Sequence, residues 1–189
     1  MNPFSQYTDS QLVKSALEGQ EDAFKEIYER YYKMAFRLSY RLLSHKEAAE
    51  DVTQEVFIKM ARSLVQFRED ASFKTWVTKI VVNSTRDYWR SHKNQHQSLN
   101  ELDEERTEDL RSRSVDLSLQ IRDLLTCLPE KTKEVLILVE VEGLSHAEAA
   151  KVVGCREITV SWHIHKAKKV ILNYHGMTAV EVEWNTKIS

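Results

Sequence analysis

Between Leu144 and Ile171 the chain reads LSHAEAAKVVGCREITVSWHIHKAKKVI, and few folds accommodate that stretch. Ser145 and Glu148 make an S-x-x-E pair whose side chains can each satisfy a free amide hydrogen of the other residue, so a helix starts here. Ala149 and Ala150 are small where a second helix must cross closely. Val152 and Val153 supply apolar contact, and Gly154 accepts the left-handed backbone of a tight turn. A new helix begins near Arg156. Its apolar residues Val160, Ile164, Ala167 and Ile171 recur at helical spacing. Residues 144–175 are therefore expected to form a helix-turn-helix.

The opposite face of the second helix is expected to carry Thr159, Trp162, His163, Lys166 and Lys169. Such a helix suits the major groove of duplex DNA. Lys166, Lys168 and Lys169 would neutralise phosphates, and Arg156, Thr159 and His163 would reach base edges. The plainer alternative is a helical hairpin with a solvated basic face. The capping pair, the alanines, the glycine and the following stripe together favour the DNA reading.

The net charge of −2 looks wrong for such a role until its distribution is considered. Six carboxylates and one arginine lie between Gln97 and Leu110, a local charge of −5, so the rest of the chain carries +3. The surrounding stretch from Ser91 to Ser114 has few apolar residues and no aromatics. It cannot bury enough surface to offset the entropy lost on ordering, and it is expected to be a flexible acidic linker.

On either side of that linker the pattern is helical. Four glycines and two prolines in 189 residues argue against a turn-rich β fold. A short helix is expected near Thr8, capped by Thr8 or Asp9 and ended by Gly19. A long one follows from about Glu21 to Leu43, with Phe24, Ile27, Tyr28, Tyr31, Ala35, Leu38 and Leu42 on one face. A third, from about His45 to Val65, has the core stripe Ala49, Val52, Val56, Met60 and Leu64. A fourth, from about Ser72 to Lys93, turns Phe73, Val77, Ile80, Ser84 and Tyr88 inward. Beyond the linker, Leu117, Ile121, Leu124, Leu125 and Leu128 mark a helix stopped by Pro129. Another covers about Glu130 to Val141 and ends at Gly143. The expected class is all-α, two small helical domains on an acidic tether.

Two further surfaces stand out. Lys79, Asn83, Arg86, Arg90 and Lys93 share one stripe of the fourth helix, with Phe67, Phe73, Trp76, Tyr88 and Trp89 near its ends. Cations beside aromatic rings suit single-stranded nucleic acid, whose unstacked bases lie on rings; aromatic residues packed in the core are the alternative. The third helix carries Glu47, Glu50, Asp51, Gln54, Glu55 and Ile58 on its outer side. A charged run is ordinarily a solvated face, which is the alternative; an apolar Ile58 among the carboxylates is what points to a face for docking another protein.

Other function classes find little support. There is no Gly-rich phosphate loop, no H-E-x-x-H, no S-x-x-K and no G-x-S-x-G, so no catalytic residue is expected. Cys127 and Cys155 match no metal or redox spacing. His163 and His165, two apart on a helix, would point away from each other, so no metal site or cofactor is expected. The N-terminal MNPFSQYTDS is no secretory signal, and no apolar run is long enough to span a bilayer. A cytoplasmic protein without direct membrane contact is expected.

Three motifs stand in fixed order: AAEDVTQEVFIKMA at 48–61, FREDASFKTWVTKIVVNSTRDYWR at 67–90, and the stretch from Leu144 to Ile171. Together they resemble the bacterial sigma factors of the extracytoplasmic-function group. The resemblance covers residues 8–94 and 115–175. It implies a sigma-2-like domain over 1–94, a linker over 95–114 and a sigma-4-like domain over 115–176, leaving 177–189 unmatched.

The resemblance also implies a promoter-specific initiation factor for RNA polymerase. Asp51, Gln54, Glu55, Phe57 and Ile58 would meet the polymerase clamp. Arg68, Asp70, Phe73, Trp76, Lys79, Asn83, Arg86, Asp87 and Arg90 would hold the opened −10 element, with 68–71 in a loop receiving a flipped base. Ser145, Arg156, Thr159, Trp162, His163, Lys166 and Lys169 would read the −35 element, beside the polymerase flap. An anti-sigma partner, soluble or membrane-bound, is also implied. The chain departs from the usual pattern at Arg156-Glu157-Ile158, where Pro-x-Gly is common, and at Trp162-His163, where a small or basic pair is usual. A stand-alone helix-turn-helix regulator is the alternative, but it has no use for the first two motifs.

Overall fold

The computed structural model describes residues 3–92, 125 and 127–174. All regular structure among the described residues is helical. The chain divides into two compact units, one containing residues 3–92 and the other most of the remainder. The linker at 95–114, most of the helix expected over 117–128, Lys93 and the tail at 177–189 lie outside the described residues.

In the first unit, α1 spans Asp9–Leu17, and the choice between Thr8 and Asp9 as its cap falls to Thr8. Thr8 Oγ1 accepts from the Gln11 amide at 3.3 Å, while Gln11 Oε1 accepts from the Thr8 amide at 2.8 Å. This reciprocal capping leaves Asp9 free for a tertiary role: its carboxylate takes the Arg30 guanidinium at 2.9 Å and the Tyr31 hydroxyl at 2.5 Å. Burial and the adjacent Asp9 carboxylate push the Tyr31 hydroxyl well above its ordinary range. Gly19, at φ +87°, turns the chain into α2.

Helix α2 spans Glu21–Leu43. It is the central element, packing against α1, against α3 (Lys46–Ser63) and against α4 (Phe73–His92). Its buried residues Ala23, Ile27, Tyr31, Ala35, Leu38 and Leu42 recur every third or fourth position, as one face of a 3.6-residue helix requires. Ala35 and, on α3, Ala49 are fully buried, and their small side chains allow close helix approach. The α2–α3 corner is tight. Ser44 adopts a left-handed φ of 57°, and the His45 ring nitrogen accepts from the Ala48 amide at 3.2 Å, capping α3. A single 3-10 turn, Leu64–Gln66, follows α3.

Helix α4 buries two adjacent strips, one through Phe73, Val77, Val81 and Ser84 and the other through Thr78, Val82 and Thr85. It needs both because it meets α2 and α3 together. The single expected stripe was therefore too narrow: Val81 and Val82 are fully buried, while Ile80 and Tyr88 are only half-buried.

In the second unit, α5 spans Glu130–Leu136 and continues as one wide π turn, Ile137–Val141, before Gly143 at φ +72° ends it. Helix α5 packs on α7 (Glu157–Tyr174). Between them α6 covers His146–Val153, with the expected reciprocal Ser145–Glu148 cap and with Gly154 in the left-handed region at φ +76°. The amides of Gly154 and Cys155 both donate to the Ala150 carbonyl, at 2.9 and 3.0 Å, which closes α6 tightly. His146 Nδ1 and Ser161 Oγ, 3.0 Å apart, tie α6 to α7.

Candidate nucleic-acid interfaces and docking face

On α3, Asp51, Gln54, Glu55 and Ile58 share the exposed side, and Ile58 retains 46% of its surface. Phe57 does not belong with them. It is turned into the fold at 7% exposure, its ring centroid 4.6 Å from that of Tyr28 and 6.2 Å from that of Tyr32. Phe57 lies four residues after buried Thr53 and three before buried Met60, so helical geometry puts it on the core side. The candidate docking face is thus a carboxylate-rich surface around exposed Ile58.

The loop between the 3-10 turn and α4 is held by aromatic packing at its base. The Phe67 ring lies 5.1 Å from Phe73 and 5.5 Å from Trp76, and Phe73 lies 5.4 Å from Trp76. The loop crest, Arg68, Glu69 and Asp70, is exposed, and Glu69 takes a left-handed φ of 58°, uncommon for a residue with a side chain. Ser72 caps α4, its hydroxyl accepting from the Thr75 amide at 3.1 Å. Phe73 stood both on the inward stripe and in the −10 set, and the structure gives it the inward place: at 3% exposure it also packs edge-on against Tyr31, at 5.2 Å, and underlies Trp76. Trp76 is half-buried, one side on this cluster.

Along α4, Lys79, Asn83, Asp87 and Arg90 are exposed and Arg86 is half-buried, so the stripe is continuous among the described residues. Asp87 is ion-paired. Its Oδ2 accepts from Lys59 Nζ at 3.1 Å, and its Oδ1 accepts from Arg90. Partial burial opposes ionisation, but these two cations outweigh it and hold the carboxyl below its ordinary range. Lys59 was absent from the sequence-derived set, because nothing local links it to a residue 28 positions away.

Arg156, just before α7, and Trp162 and Lys169 on α7 are exposed, while Thr159 and Lys166 are half-buried. Lys166 Nζ sits 4.9 Å from the centre of the Trp162 ring, so the two form one cation–aromatic unit. Ser145 is exposed, but its hydroxyl donates to Glu148 at 2.7 Å, which commits it to the cap. Ile158, at 70% exposure, and His165 also lie on the outer surface, outside the set expected to read DNA.

His163 is a correction. It was expected among the base-reading residues, yet it is 8% exposed and its Nδ1 lies 2.9 Å from Thr132 Oγ1 on α5. Positions 160, 163, 164 and 167 share one helical face, so the burial of Val160 and Ala167 carries His163 inward with them. Burial, with the charges of Lys131 and Lys166, lowers its pKa. The fold thus holds the ring neutral more firmly than the unfolded chain does. The resulting stability is fully present above the unfolded value of about 6.5 and is lost as pH falls through that value toward the lowered one. Denaturant midpoints measured between pH 8 and 5 should fall more for the wild type than for His163→Gln. Parallel pH profiles would refute this.

Residues 27–95 match the Sigma-70 region 2 family and residues 118–171 match Sigma-70 region 4. The chain is 30% identical over 181 residues to the ECF RNA polymerase sigma-E factor of Haemophilus influenzae, covering 89% of this chain and 95% of the relative. It is 30% identical over 180 residues to the RNA polymerase sigma-H factor of Pseudomonas aeruginosa, covering 88% and 93%. The fold is shared with the solved structure of CnrH in complex with the cytosolic domain of CnrY, at a TM-score of 0.67 and 24% identity over 89% of this chain and 97% of that one. The order of the three motifs, the two helical units and these matches agree: the chain belongs to the extracytoplasmic-function group of sigma-70 factors, regulatory proteins that direct transcription initiation.

Proposed function

We propose that the two units divide promoter recognition between opened strand and intact duplex, and that α3 docks the factor on core RNA polymerase. The exposed stripe of Lys79, Asn83 and Arg90 running from half-exposed Trp76 is the observation that carries this reading. Cations there follow a strand backbone while a ring receives a base. The Arg68–Ala71 loop, built on the Phe67–Phe73–Trp76 cluster, is a candidate seat for a flipped base of the −10 element. Arg156 at the start of α7 and Thr159, Trp162, Lys166 and Lys169 on it are the candidate −35 contacts, with Lys166 and Lys169 on phosphates.

The carboxylates of Asp51 and Glu55 around Ile58 offer a docking surface for the polymerase clamp, and the second unit would meet the flap. Family membership further supports an anti-sigma partner. No residue is assigned a catalytic role; among the described residues no helix is long and apolar enough to cross a membrane, and work in the cytoplasm is part of the proposal.

Run-off transcription with core polymerase on genomic fragments tests the whole reading. Promoter-dependent transcripts with common −35 and −10 sequences are expected. No specific transcript and no binding to core would leave the stand-alone regulator as the better account. Two substitutions test its parts. Lys166→Ala should weaken duplex binding and lower the slope of log affinity against log salt by about one unit; an unchanged slope would remove the phosphate contact. Asp51→Arg should reduce affinity for core polymerase by about fivefold or more with unchanged thermal unfolding. Unaltered affinity would move the docking face elsewhere.

A further inference from the structure

Within the cationic stripe of α4 stands one carboxylate, Asp87, and its neutralisation comes from another helix. Lys59 on α3 reaches across to Asp87 Oδ2 at 3.1 Å and to the buried Ser84 hydroxyl at 3.2 Å, and it lies 3.8 Å from Glu55 on its own helix. Arg90, one turn along α4, takes the other Asp87 oxygen. The Lys59 side chain is only 35% exposed and that of Asp87 47%, so both are partly sheltered from solvent screening. Arg90 is 79% exposed even while paired with Asp87.

We propose that Lys59 is a positioning residue for strand opening: it cancels the Asp87 carboxylate and anchors the α4 stripe that faces the opened strand. This rests on the proposed −10 role of α4. Two effects follow from the geometry. Without Lys59, Asp87 would hold Arg90 alone, drawing its guanidinium away from strand phosphates. The local charge facing those phosphates would also drop by one positive unit. Both act on DNA; Lys59 also lies 3.8 Å from Glu55 of the candidate docking row, but that i,i+4 pair is solvent-screened and its loss costs docking little.

The experiment uses the full chain with core polymerase on a promoter recovered by run-off transcription, comparing Lys59→Met, Lys59→Arg, Asp87→Asn, Trp76→Ala and the Lys59→Met/Asp87→Asn pair. Core affinity and permanganate reactivity of the −10 region are both read. Lys59→Met should lower opening by about fivefold while core affinity changes less than about twofold. Lys59→Arg should retain opening, since the guanidinium keeps the charge. Adding Asp87→Asn to Lys59→Met should restore opening toward the wild-type level, because the uncancelled carboxylate is gone and the local charge again equals that of the wild type. Independent, multiplicative losses in the double variant would overturn the proposal, as would parallel loss of core affinity and opening in Lys59→Met. Normal opening in Lys59→Met beside defective Trp76→Ala overturns this proposal alone; normal opening in both overturns the −10 assignment and this proposal with it.

Discussion

Leu38→Ala lowers the unfolding free energy of the first unit by about 2–5 kcal/mol. Leu38 is fully buried on α2, the helix that meets α1, α3 and α4, so the space it vacates opens among elements that hold one another in place. Collapse around the missing atoms would have to move several helices at once. The cost should therefore fall toward the upper part of that range, where a cavity survives. Urea unfolding followed by circular dichroism measures it, and Leu38→Met provides the contrast, with a loss under about 1.5 kcal/mol because volume is retained. A loss below about 1 kcal/mol for the alanine variant would mean that the core relaxes freely around this position. Since α3 and α4 both rest on α2, docking and strand binding should fall together as the variant is warmed.

Trp76→Ala is expected to reduce promoter opening by about tenfold while leaving closed-complex formation nearly unchanged, in line with about 1–3 kcal/mol for one base–ring stack. The structure sharpens the experiment. One side of Trp76 already packs on Phe67 and Phe73, so alanine removes both a stacking surface and a support of the 67–72 loop. Trp76→Phe separates the two roles: a phenylalanine retains the packed ring but offers less face to a base. Opening with Trp76→Phe should fall between alanine and wild type. Permanganate reactivity reports the opened strand, and retardation at low temperature reports the closed complex. Equal losses at both stages for Trp76→Ala would refute a strand-specific role.

Much of this fold was legible residue by residue. The ends of α2 fell at Glu21 and Leu43 as expected, and the Ser145–Glu148 cap and the Gly154 turn are both present. These are local matters: a cap involves residues three apart, and a left-handed turn depends on one backbone position. The candidate sites were legible to the extent that their residues were charged. Asp51, Lys79, Arg90, Arg156 and Lys169 all lie on exposed surface, because the cost of desolvating an unpaired charge keeps it in water.

Amphipathic and aromatic side chains were not so constrained. Phe57, Phe73 and His163 can each satisfy burial or exposure, and which one occurs depends on how a helix is rotated against its neighbours. The helix-turn-helix from Ser145 to Tyr174 shows the division within one segment. By itself the sequence determined its cap, its turn and the spacing of its apolar stripe, since these depend on contacts within a few residues. Only the tertiary structure decided that α5 would cover His163 through Thr132, leaving Trp162 outside beneath Lys166. The same holds in the first unit, where Lys59 meets Asp87. The physical reason is the same in both: a hydrogen bond or ion pair between separate helices forms only after packing has fixed their rotation, and no periodicity within one helix encodes its partner.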